Sequence, residues 1–365
     1  MKRQLLLLMC LMALTAFGQR TIVVKKGDAQ SLLDAVRKAN EMNADSGRAK
    51  RTYVLIPNGY YDLGETVLTQ ISGHNIAFIG QSTEGTIIRN APDFKNEGIS
   101  KTAVFQNVGS DNYFQDLTLK NDLDYYACGA AGRAVCLHDK GTRTICNRVR
   151  MLSYQDTYYS WAEDARHYLR DSEIHGTVDF ICGAGDVWFE RCRIVTEKRT
   201  VSGKGRNVIA APRTSQTQWG FVFNDCTIEN IESTFDYARG WHTLPRCTWL
   251  NTTLLTPEKL TKTRFDTNGM RTVLSEFKEF GTKDAKGQVV MPASNIITLT
   301  LKEKKKEGDR EVESIQERTV ETVMTADDAQ RFSVAGVFGD WQPGKLTDKT
   351  EKQARKLAVK CGAWE

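Results

Sequence analysis

Six segments of the chain follow one pattern: FQDLTL (114–119), CNRVRM (146–151), LRDSEI (169–174), FERCRI (189–194), FNDCTI (223–228) and WLNTTL (249–254). Each runs apolar, two mostly polar residues, small or apolar, polar, apolar. The fourth positions, Leu117, Val149, Ser172, Cys192, Cys226 and Thr252, are 32, 23, 20, 34 and 26 residues apart. Short strands recurring at that interval, with connections of variable length, describe a solenoid in which each turn buries its inward residues against the next. The competing reading is an antiparallel sandwich whose spacing is coincidental. Helical periodicity is largely absent from 74 to 255, and the one clear helical stretch is DAQSLLDAVRKANEM (28–42). There Leu32, Leu33, Val36 and Ala39 form an apolar stripe and Asp28 is placed to cap the first turn. Ahead of a right-handed parallel β-helix, such a helix would cover the open end of the coil. The expected class is therefore all-β, a solenoid with an N-terminal capping helix.

The same register raises a question about IHGTVDFICG (174–183), where Asp179 lies in a run that otherwise reads as a buried strand. An unpaired carboxylate is costly there. Asp156 follows Val149 by seven residues, and Asp179 follows Ser172 by seven. The two acids thus fall at one phase of adjacent turns, whose strands lie about 4.8 Å apart. Carboxylates stacked so closely repel unless one is protonated or a cation intervenes. A pair with separated protonation suits acid–base work, or a nucleophile beside an acid. The plainer alternative is that each aspartate only caps a turn.

The N-terminus, MKRQLLLLMCLMALTAFGQR, has Lys2-Arg3, a short apolar run and small residues Ala16 and Gly18 ahead of Gln19. This reads as a signal peptide over 1–18, with an uncleaved anchor as the alternative. Cys10 lies in the apolar run without the small residues a lipoprotein site needs. The expectation is an exported protein, periplasmic or secreted and of bacterial type, with no membrane span in the mature chain, which forms one domain over 19–365. Removing Lys2 and Arg3 takes the formal charge from +5 to +3, a mild basic excess that favours polyanions without requiring nucleic acid. The remaining cysteines are Cys128, Cys136, Cys146, Cys182, Cys192, Cys226, Cys247 and Cys361, and none forms a C-x-x-C pair. The histidines His74, His138, His167, His175 and His242 are scattered, so neither a metal nor another cofactor is expected. Cys192 and Cys226 share an inward phase and read as stacked small hydrophobes, although a disulfide between them is open.

The residues around the two acids resemble the pectin methylesterase (pectinesterase) family. Its GYQDTLY element appears as SYQDTYY (153–159), GTVDFIFG as GTVDFICG (176–183) with Cys182 for the usual Phe, and LGRPW as YARGW (237–241) without the proline. Weaker matches are NGYYDL (58–63), VIAAPR (208–213) and MTADDAQRFSVAGVFGDWQP (324–343). The resemblance implies a right-handed parallel β-helix and a carboxylic ester hydrolase acting on methyl-esterified pectin or methylated oligogalacturonides. It implies Asp179 as nucleophile, Asp156 as general acid and then base, Gln155 as oxyanion donor and Arg239 as the partner that orients Asp179 and lowers its pKa. Trp241, Tyr159 and Phe180 would contact the sugar. A monomer is expected.

One departure bears on the chemistry. The family's QAVAL reads RAVCL here, placing Arg133 where a glutamine would supply a second oxyanion donor. Its charge could lower the pKa of Asp156, or meet a second carboxylate on the substrate. A superfamily esterase or thioesterase for another acyl group, a β-helix polysaccharide lyase and a glycan-binding protein are therefore alternatives. No G-x-S-x-G occurs, which disfavours a serine hydrolase. GKGRN (203–207) reads as a solenoid turn rather than a phosphate loop. The run KEKKKEGDREVESIQER (302–318) has mixed sign and reads as a solvated hairpin or loop in a charged insertion spanning about 283–322. His175 and His242 flank the proposed site.

Overall fold

The structure, a computed structural model, describes residues 20–364 apart from 48–49, 129–131, 215–216, 242–244, 268–275 and 309. The leader, Cys10 and His242 lie outside the described residues.

The repeat is a parallel coil. One inward rung runs Phe78–Phe114–Cys146–Leu169–Phe189–Phe223–Trp249 through successive parallel pairings. Along it the rings stack, with centroids 5.4 Å apart for Phe78–Phe114, 4.3 Å for Phe189–Phe223 and 3.8 Å for Phe223–Trp249. The third residue of every repeat, Asp116, Arg148, Asp171, Arg191, Asp225 and Asn251, is left-handed, with φ between 49° and 54°. That corner is why the third position of the pattern is polar: the chain turns there and carries that side chain toward solvent, while second-position residues such as Gln115 and Asn147 stay buried. Arg148 bonds Asp116 and Arg191 bonds Asp171 across neighbouring turns.

A second face is a seven-stranded parallel sheet of Thr69–Ile71, Phe105–Asn107, Leu137–Asp139, Tyr158–Ser160, Val178–Gly183, Arg206–Pro212 and Thr234–Ala238. Its inward residues join the common core, while its outward residues Tyr159, Cys182 and Ala211 form a separate buried row against which the partly buried Trp241 packs.

The helix Ala29–Met42 closes the N-terminal end. Asp28 caps it by accepting from the Ser31 N–H at 2.9 Å, and Leu32, Ala35, Val36 and Ala39 are buried in the same core as Val54, Ile71 and Ile76. Leu33 is only partly buried at the edge of that contact. The charged insertion forms an antiparallel ribbon of Ile296–Glu307 and Arg310–Glu321. At its root, Ile297 is buried in the solenoid core and Val290 and Val320 pack against it, which covers the C-terminal end of the coil.

A C-terminal helix, Pro343–Cys361, has no counterpart in the apolar periodicity of the sequence. Its buried positions are Pro343, Thr347, Thr350, Ala354, Leu357 and Ala358, a helical stripe built largely of small and hydroxyl side chains. With Phe338 and Trp341 it covers the outer face of the other sheet over Tyr113, Ile145, Tyr168 and Trp188. All eight described cysteines are free thiols, and Cys192 and Cys226 lie in the core at equivalent heights without bonding covalently. Gly203 and Gly205 of GKGRN take positive φ, as a solenoid turn requires. Among the described residues, no helix is long and apolar enough to cross a membrane.

Candidate active site

Asp179 escapes the core through a bulge. Val178 pairs with Val208 and Ile181 with Ala210, so three steps on one strand oppose two on the next. The irregularity lies at Asp179–Phe180, and Asp179 has φ of 52°. A bulge re-aims side chains: here Asp179 turns out while Phe180 and Ile181 both point into the core. The turn before it needs Gly176, because a Cβ there would lie 2.1 Å from the Phe180 Cβ and 2.5 Å from the Tyr154 carbonyl oxygen. Phe180, expected to touch substrate, is fully buried in the interior instead. Simple alternation would put it outside with Cys182; the extra residue moves it inward.

Tyr158 pairs with Ile181, which sets Asp156 beside Asp179 on adjacent turns. Asp156 is likewise left-handed, with φ of 59°. Both acids are almost entirely buried. Arg239 follows the strand Thr234–Ala238 and donates twice to Asp179, from Nε to Oδ1 at 2.8 Å and from Nη2 to Oδ2 at 2.5 Å. Burial and then the neighbouring Asp179 push the Asp156 carboxyl well above the usual range, against smaller opposing pulls from Arg133, the Cys182 thiol and Arg239. Burial also raises Asp179, against the hydrogen bonds and charge of Arg239. The sign for Asp179 is opposite to the expected lowering, because burial outweighs the arginine. The ordering survives: Asp179 is clamped by a guanidinium and Asp156 is not.

Gln155 stands beside Asp156; its carbonyl oxygen accepts from the Ala134 N–H at 2.9 Å, and its side-chain Oε1 is buried without a hydrogen-bond partner. Arg133 lies one turn earlier, bridged to Gln155, and bonds Glu97 at 2.6 Å. Trp241 is half-buried and held by its N–H to the Pro212 carbonyl at 3.0 Å. Its ring lies 6.0 Å from that of Tyr159, which is buried and stacks on His138 at 4.6 Å. The structure therefore brings together Asp156, Asp179, Arg239, Gln155 and Arg133, with Trp241 and Tyr159 as an adjoining wall. His175 is engaged elsewhere, its two ring nitrogens each 2.6 Å from a carboxylate oxygen of Glu173 or Glu197.

Sequence reasoning misses several neighbours. Trp161 extends the Tyr159 wall at 5.8 Å, and the Arg213 guanidinium lies 4.8 Å from its ring centroid and 5.8 Å from that of Trp241. Across the site, Tyr125 stacks on Tyr154 at 4.8 Å and donates to the Arg199 carbonyl at 3.3 Å. The outward phase of the strand marks His138, Tyr159 and Trp161; the Tyr125 loop has no periodic signal.

The family model for pectinesterase matches residues 21–258, and the chain belongs to the pectinesterase family. It is 32% identical over 193 residues to "Pectinesterase 3" of Solanum lycopersicum, covering 53% of this chain and 33% of that protein. It is 32% identical over 227 residues to a pectinesterase/pectinesterase inhibitor of Ficus pumila var. awkeotsang, covering 59% and 39%. The chain thus spans well under half the length of these curated relatives. Among solved structures, pectin methylesterase from carrot superposes with a TM-score of 0.65 at 19% identity, covering 91% of this chain and 97% of that one. PemA, the pectin methylesterase from Erwinia chrysanthemi, gives 0.64 at 22%, covering 85% and 93%. The fold is the right-handed parallel β-helix shared with these structures.

Proposed function

We propose that this protein is a pectin methylesterase that hydrolyses the methyl esters of galacturonate units through an aspartyl acyl-enzyme. The observation that carries the reading is the pair of buried, outward-turned acids on adjacent turns, one clamped by Arg239 and the other not. Family membership supports it.

In this reading the Asp179 carboxylate attacks the ester carbonyl. Gln155 and Arg133 donate to the oxygen that gains charge, where fixed dipoles act most strongly. The carbon–oxygen bond to the methoxy group breaks, and Asp156 supplies the proton that makes the leaving group methanol. Asp156, now a carboxylate, takes a proton from water; the hydroxide attacks the acyl carbon and releases Asp179 as a carboxylate and the substrate as a free acid. Arg239 offsets part of the burial penalty on the Asp179 carboxylate and aims it, while burial and the adjacent charge keep Asp156 protonated until it is needed. Trp241 and Tyr159 offer an aromatic wall to the sugar. Export through residues 1–18 belongs to the same reading, since the polymer lies outside the cell.

The test is a substrate panel. Purified protein should release methanol from highly methylated pectin or a methylated oligogalacturonide, and Asp179→Ala should abolish release with an unchanged far-ultraviolet spectrum. Hydrolysis of acetyl or thioester substrates, with no methanol from any methylated galacturonide, would overturn the substrate and keep the chemistry.

A further inference from the structure

Arg133 is an unusual neighbour for an acid that has to hold its proton. It is bridged to Gln155 one turn before the acid pair, and an uncompensated guanidinium there would favour the ionised form of Asp156. The chain supplies a counter-charge from a separate element. Glu97 ends the short turn Phe94–Asn96 and grips Arg133 at two points: Oε1 accepts from Nη1 at 2.6 Å and Oε2 accepts from the Arg133 backbone N–H at 3.2 Å. The Arg133 side chain is 40% exposed and that of Glu97 is 21% exposed, so both lie at the rim rather than in the core. A rim ion pair contributes little to stability, but this one fixes the direction of a guanidinium beside the acid pair.

We infer that Glu97 is a positioning residue: it neutralises Arg133 and fixes its direction, so that an arginine can serve as an oxyanion donor without stripping Asp156 of its proton. The inference rests on the esterase reading. The charged and titratable groups facing Asp156 are Asp179 and Arg239 on the following turns, the Cys182 thiol, and Arg133. Tyr159 lies on its own turn, and Arg199 acts on Asp179 from the loop beyond. Arg133 has its charge met by a carboxylate from a separate element, Glu97, whereas Arg239 spends its charge on Asp179 itself, with Asp266 acting on it from farther along the chain. A neutral amide at 133 would need no such partner, which gives the prediction its form: the effect of Glu97 should depend on Arg133.

Two readouts test it in the full-length protein. The first is the pH profile of kcat/KM for methanol release in wild type, Glu97→Gln, Arg133→Gln and the double variant. Asp156 acts as an acid, so its deprotonation sets the alkaline limb. Glu97→Gln should move that limb down by about one pH unit, a roughly tenfold loss one unit above the wild-type limb. Arg133→Gln should leave the limb at or above its wild-type position and lower kcat, and Glu97→Gln should then have no further effect on the limb. The second readout is the titration of the Asp156 carboxyl by 13C NMR of aspartate-labelled protein, assigned with Asp156→Asn. It should fall in Glu97→Gln whether or not pectin is the substrate. If the titration moves but no methylated galacturonide yields methanol, the esterase reading fails and the pairing stands. If methanol is released normally and neither the limb nor the titration moves in Glu97→Gln, or both move equally in the Arg133→Gln background, the inference is wrong.

Discussion

At the scale of single residues, the site is defined by which way a side chain leaves the strand. Asp179 and Phe180 are neighbours in sequence, yet one is clamped by Arg239 on the outer side of the sheet and the other is packed in the core. Substituting each should separate function from stability. Phe180→Ala removes a fully buried ring and should cost about 3–5 kcal/mol in a denaturant titration. Trp241→Ala, at a half-buried position, should leave the unfolding midpoint nearly unchanged while raising KM for a methylated oligogalacturonide. Arg239→Lys keeps the charge but loses the planar fork that bonds both Asp179 oxygens, and should lower kcat by about 10²-fold with little change in KM. The two acids are legible in the sequence because their phase and the surrounding motifs agree, whereas Arg239 and Trp241 are reached only through the resemblance of YARGW (237–241) to a family element. Phe180 is not, because a period of two carries no sign of a bulge.

At the scale of elements, the bulge, the corners and the caps do the positioning. The left-handed third residue recurs on six turns, and its demand for a polar, turn-tolerant side chain is what makes the repeat visible in the sequence. Gly176 lets the chain pass close to Phe180 and Tyr154, so Gly176→Ala should destabilise by about 1–3 kcal/mol and lower kcat together, because the bulge that aims Asp179 shifts. The check is thermal unfolding beside methanol release on the same preparation. The N-terminal helix is readable from Leu32, Val36 and Ala39, whereas Pro343–Cys361 is not, since Thr347, Thr350 and Ala354 bury hydroxyl and methyl groups rather than large apolar ones. That helix nonetheless shields Tyr113, Tyr168 and Trp188. Truncation after Asp340 should expose this aromatic face and shift the protein into aggregates, measured as soluble yield and light scattering.

At the scale of the whole molecule, the coil is a rigid frame whose protonation states vary from face to face. His175 lies between Glu173 and Glu197; burial alone would pull its pKa down, but the two carboxylates outweigh that and raise it. A raised histidine contributes stability that is complete below about pH 6.5 and is lost as the pH climbs through the folded value. Glu173, pulled down to about 2 chiefly by its bond to His175, contributes stability above its ordinary range that is lost as the pH falls toward that value. The unfolding temperature should therefore decline above neutrality, and His175→Gln should flatten that decline without moving the alkaline limb of the activity profile. The mechanism depends on two adjacent acids in different protonation states, and carboxyl 13C titration of the wild-type protein tests this directly. It predicts that Asp156 keeps its proton well above the ordinary carboxylate range and above Asp179. Two carboxyls titrating together near pH 4, or Asp179 holding its proton longer than Asp156, would contradict it.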